Sequence, residues 1–128
     1  MRKLVVPLAM ALFIAATSRA ALKADLSPAS EAQRSLNLVG EIMDSKCAIE
    51  GSHEKMMKTT GAKNARECTL ACAKSGASYV LYDPDTKTVY QLDDQQKPRD
   101  FAGQRVIVSG DYDESSKTIH VQTILPAS

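Results

Sequence analysis

The chain has 128 residues with a formal charge of +1 at pH 7. That length holds one domain with a modest core and excludes two. Arg2, Lys3 and Arg19 supply the positive balance, and residues 21–128 carry 13 basic against 15 acidic side chains, which lacks the electrostatic footprint of a nucleic-acid binder.

Arg2 and Lys3 precede an apolar run, Leu4 to Ala16, and Ser18-Arg19-Ala20 places small residues where signal peptidase needs them. The run falls short of the ~20 apolar residues that span a bilayer. We therefore expect a signal peptide over 1–20, cleaved after Ala20, a periplasmic or secreted protein, and no integral membrane segment after cleavage. The absence of a cysteine at that point argues against a lipid anchor. Residues 21–35, rich in Ala and Ser with Pro28, read as a flexible linker.

The ordered domain is expected over 36–126. From Leu36 to Asp44 the sequence alternates, with Leu36, Leu38, Gly40 and Ile42 on one face, as a half-buried strand does. Gly40 suggests a bulge or sharp bend in a strand shared by two halves of a barrel. A helical excursion follows over 45–76. Ser52 is placed to cap a short helix through Lys58, closed by Gly61. Asn64 with Glu67 forms an approximate capping box for a stronger helix that Gly76 stops. Tyr79 to Tyr82 and Thr88 to Leu92 flank Asp83-Pro84-Asp85-Thr86-Lys87 as a hairpin. The polar stretch 93–104 allows at most one helical turn. Arg105 to Asp111 and Thr118 to Leu125 complete five strands, the last expected to point Ile119, Val121 and Leu125 inward.

These elements predict a mainly β protein: a small five-stranded, OB-like Greek-key barrel, named for the oligonucleotide/oligosaccharide-binding fold, with a helical insertion between its first two strands. A closed barrel removes the edges that short strands would expose.

Gly40-Glu41-Ile42-x-Asp44-Ser45-x-Cys47, His53, Cys68-Thr69-x-x-Cys72, Gly76, Tyr79-Val80-Leu81 and Gly103-Gln104-x-Val106-x-Val108-x-Gly110 resemble a family of small secreted bacterial proteins of unknown function. The half from Tyr79 to Ile124 is also similar to bacterial periplasmic proteins of the OB fold. Neither resemblance implies an established activity.

All three cysteines and His53 fall in the excursion, spaced Cys47-x5-His53-x14-Cys68-x3-Cys72. Cys68 and Cys72 stand one helical turn apart on one face and can both reach one ion. Cys47 and His53 complete a Cys3His set, the donors of a closed zinc site, while Met56 and Met57 nearby would favour copper. The competing reading is a disulfide from Cys47 to Cys68 or Cys72, worth about 3 kcal/mol by loop entropy. The chain has neither Cys-x-x-Cys nor a second histidine after His53-Glu54. The reading is a monomeric, non-enzymatic binding module without catalytic residues, holding zinc or copper through Cys47, His53, Cys68 and Cys72. The alternative is a disulfide-stabilised envelope protein that binds a glycan or protein on its barrel face.

Overall fold

The computed structural model describes residues 34–128, so the expected signal peptide and most of the expected linker lie outside the described residues. Five strands, β1 (Arg34–Asp44), β2 (Tyr79–Asp83), β3 (Thr88–Leu92), β4 (Arg105–Asp113) and β5 (Thr118–Pro126), close a barrel in the order β1-β2-β3-β5-β4. Three helices, α1 (Ser45–Glu50), α2 (Glu54–Thr60) and α3 (Ala65–Lys74), lie between β1 and β2, and a 3-10 turn (Lys97–Phe101) lies between β3 and β4. The mainly β, OB-like barrel with its helical insertion is thus present.

β1 is shared by two halves, as its sequence suggested. Residues 34–41 pair with β4 and 41–44 with β2, so Glu41 faces both Arg105 and Tyr82. Gly40 sits at this pivot, where a Cβ would lie 2.5 Å from the Tyr82 carbonyl oxygen. Only hydrogen fits there.

The bulge falls elsewhere. The β4–β5 register slips at Ser109/Gly110: Gly110 faces Val121 while Ser109 faces Thr123, which leaves Gln122 unmatched. An extra residue inverts the alternation beyond it. Ile119 therefore points into the core, but further along it is Ile124 that is buried and Leu125 that is 57% exposed. This corrects the expected inward face of β5, which assumed unbroken alternation.

The barrel interior gathers Ile42, Tyr79, Leu81, Leu92, Val106, Val108, Ile119 and Ile124. A second cluster forms on the outer side of β1 and β2, where Met43, Val80 and Tyr82 meet Cys47, Cys68 and Cys72 beneath the helices. Both faces of β2 are therefore covered, which explains its unbroken apolar run from Tyr79 to Tyr82. Tyr90 and Tyr112 pack edge to face against the barrel core, with centroids 5.5 Å apart.

Candidate metal site

The excursion leaves and rejoins the barrel at one point. Asp44 pairs with Tyr79, the Ser45 amide donates to the Ser78 carbonyl (2.8 Å), and the Ser78 amide donates to Ser45 Oγ (3.2 Å). Asp44 ends β1 and begins α1. Its Oδ1 accepts from the amides of Lys46 (3.1 Å) and Cys47 (3.0 Å), the bonds of a helix N-cap. Gly51, in the left-handed region at φ 72°, closes α1. The pair of caps confines Cys47 to a helix of six residues directly above β2.

α3 brings the other two thiols. Asn64 Oδ1 accepts from the Glu67 amide (2.9 Å), as the capping box predicts. The return bond differs, because Glu67 Oε2 accepts from the amide of Lys63, one residue before the cap. α3 buries Cys68, Thr69 and Cys72, while Ala71 and Ser75, which share the predicted cysteine face, are exposed. α2 is capped at His53 without a side-chain bond, in place of the expected Ser52, and Gly61 closes it as expected.

The three sulfurs and an Asp44 carboxylate oxygen lie within 4.8 Å of one another, and all four residues are buried. All three cysteines are free, with Cys47 Sγ 3.7 Å from Cys68 Sγ. Two thiolates at ~2.3 Å from a tetrahedral zinc stand ~3.8 Å apart, so this pair already has the spacing of a shared ion. Asp44 Oδ2 is buried with no hydrogen-bond partner among the described residues. A buried, unpaired carboxylate oxygen is costly unless a cation or donor meets it.

Burial pushes the Cys47 thiol far above its ordinary range, and the neighbouring Asp44 carboxylate pushes it further. Cys72 is raised for the same reasons in the same order. Without a cation these two sites hold their protons, and a metal must displace them.

His53 takes a different place from the one its spacing suggested. Its Nε2 lies 2.7 Å from Glu41 Oε1, on the outer side of β1, and Asp44 stands with the cysteines instead. The physical reason is the α1 turn, which carries the chain away from Cys47 before His53 is reached. His53 is nevertheless buried, with Nδ1 unpartnered among the described residues. Met56 and Met57 pack as half-buried hydrophobic side chains against the same cluster. Asp44 could have been found from sequence: an Asp directly ahead of a short helical segment is a capping signal, and its side chain must then fold back over the first turn.

Fold and site together define a small OB-like barrel with a buried Asp/Cys3 cluster that could hold a metal ion. A family model described as "Protein of unknown function (DUF5818)" matches residues 73–127, from the end of α3 through β5. The match begins immediately after Cys72, so the likeness covers most of the barrel and none of the four cluster residues. No curated protein and no solved structure matches the chain. No helix among the described residues is long and apolar enough to cross a membrane.

Proposed function

We propose that this chain is an exported, non-enzymatic binding module whose helical excursion holds one zinc ion through Asp44, Cys47, Cys68 and Cys72. The observation that carries the reading is the orphaned Asp44 Oδ2 buried beside three free thiols. A carboxylate is a hard donor, and adding one to three thiolates favours zinc(II) over copper(I). His53, placed on Glu41, is not among the proposed ligands. Four protein donors leave no open coordination position, so the ion would serve structure rather than hydrolysis. Export rests on the N-terminal pattern of Arg2, Lys3 and the apolar run. The strand order agrees with an OB-like barrel, and the proposed domain limits of 36–126 are extended by Arg34 and Ser35, which are already part of β1.

Intact mass under native and denaturing conditions, combined with thiol alkylation, tests this. The expected result is one zinc per chain, lost on denaturation, with all three cysteines then alkylated. Asp44→Asn keeps an oxygen for the α1 cap and should weaken zinc binding at least about tenfold, since a charged donor is lost. A metal-free mass lower by two hydrogens, with one alkylatable thiol, would replace the ion by a disulfide. Cys47 and Cys68, already adjacent, would be the pair.

A further inference from the structure

α3 has a second working face. Arg66, Leu70 and Lys74 follow one another at four-residue steps, and Leu70 lies about 200° around the helix from Cys68. The helix therefore separates the thiol cluster from whatever this face meets. It meets an open cleft of about 1180 Å³ between α3 and the 3-10 turn, somewhat larger than small-molecule sites of roughly 300–1,000 Å³.

The charge in this cleft is one-sided. Arg66 and Lys74 line it from α3, and Lys97 and Arg99 from the 3-10 turn, against the single acid Asp100. Elsewhere the balance is reversed, since residues 34–128 hold 12 basic and 13 acidic side chains in all. Arg66 Nη1 donates to the Asp100 carbonyl (2.9 Å), and Lys97 Nζ lies 3.2 Å from Asp94 Oδ2. Lys74 and Arg99 make no ion pair or side-chain hydrogen bond among the described residues. Beneath these cations Tyr79, buried, and Leu70 and Ala73, half-buried, give one apolar side of the lining, beside the amides of Gln95 and Gln96.

The cleft is also held in shape. Gln95 Oε1 accepts from the Tyr79 amide (2.7 Å), while Gln95 Nε2 donates to the carbonyls of Tyr79 and Leu92 (both 3.0 Å). One side-chain amide thus takes the place of a neighbouring strand at the start of β2. A cleft with one apolar side and several cations around it is organised for a ligand that has both characters.

We propose that this cleft binds a small amphiphilic anion, an organic phosphate or carboxylate carrying a ring or short alkyl body. Arg99 offers a planar fork to the anionic oxygens and Lys74 a mobile point charge. Leu70, Ala73 and Tyr79 take the apolar body out of water. The site is independent of the zinc reading, since none of the cluster residues lines it.

Titrating the isotopically labelled chain by ¹H–¹⁵N NMR tests the proposal, with phenyl phosphate, phenylacetate, inorganic phosphate and phenyl β-glucoside as probes. Phenyl phosphate, phenylacetate or both should give saturable shifts confined to residues 66–77 and 95–100, and the tighter of the two identifies the headgroup. Inorganic phosphate and the uncharged glucoside should each bind at least about tenfold more weakly. Lys74→Glu with Arg99→Glu should weaken the better probe about tenfold or more, Arg99→Gln alone should weaken it less, and Lys58→Glu on α2 should leave it unchanged. Because Lys74 and Arg99 are exposed, the variants should keep the native spectrum. No saturable shifts with either aryl anion, equal binding of inorganic phosphate, or an unaltered affinity in the double variant would each overturn the proposal.

Discussion

β1 and β2 separate two interiors made of different material. On the inner side, Ile42, Leu81, Val106, Val108 and Ile119 are buried hydrocarbon, and their contribution comes from area withdrawn from water. On the outer side, the cluster under the helices buries three thiols and a carboxylate with an unpaired oxygen. The first interior is complete with the chain's own atoms. The second contains polar groups that the chain itself leaves unsatisfied. The barrel should therefore stand without any ligand, whereas the excursion should depend on one.

The largest expected effect breaks the barrel side. Leu81 is fully buried, and Leu81→Ala should lower unfolding free energy by about 2–5 kcal/mol with or without zinc, as denaturant melts would measure. If the cluster holds zinc as proposed, removing it with a chelator should act on the other side. At free zinc a thousand times its dissociation constant, the loss is about 4 kcal/mol, and Cys68→Ala protein should show almost none of that difference. If chelation changes nothing in the parent chain, the contrast between the two interiors fails.

Alkaline pH sharpens the comparison. Cys47 and Cys72 are raised in the folded apo chain above their ordinary value of 9.0, so the fold binds protons that the unfolded chain has already released. That stability is intact below pH 9 and is lost as pH climbs above it, by up to about 1.4 kcal/mol per pH unit for each thiol. Apo protein should therefore weaken between pH 9 and 11, and zinc-loaded protein, whose thiols have already lost their protons, should not. The smallest effect belongs to His53→Ala. Loss of the Glu41 contact should cost about 1 kcal/mol and leave zinc stoichiometry unchanged, which native mass reads directly.

The barrel was legible because its signals are local and repetitive. Alternation located β1, β4 and β5, the turn from Asp83 to Lys87 marked the β2–β3 hairpin, and Gly40 marked the pivot of β1. Leu125 was misread because a bulge is set by pairing with the neighbouring strand, and Gln122 carries no mark of being the extra residue. The cluster was half legible. Helical spacing put Cys68 and Cys72 together, and Cys47 was within reach, but the six-residue α1 was not foreseen. Without it, His53 seemed the natural fourth donor and Asp44 looked like the end of a strand. The cationic cleft had no sequence signal, since Lys74 and Arg99 are distant in the chain and meet only through tertiary packing.

The sharing of β1 between β4 and β2 also governs the order of assembly. β1 is made before both of its partners, β2 beginning at Tyr79 and β4 ending at Asp113. At ~5–20 residues per second of synthesis, several seconds pass between completion of β1 and of β4. Throughout that interval the 34–41 half of β1, with Leu36 and Leu38, has no partner, while residues 41–44 can pair once β2 is made and the β2–β3 hairpin can already close on its own. The pairing of residues 34–41 with β4 should therefore form late, a high-contact-order step before which the nascent chain is most exposed to aggregation or to capture by a chaperone.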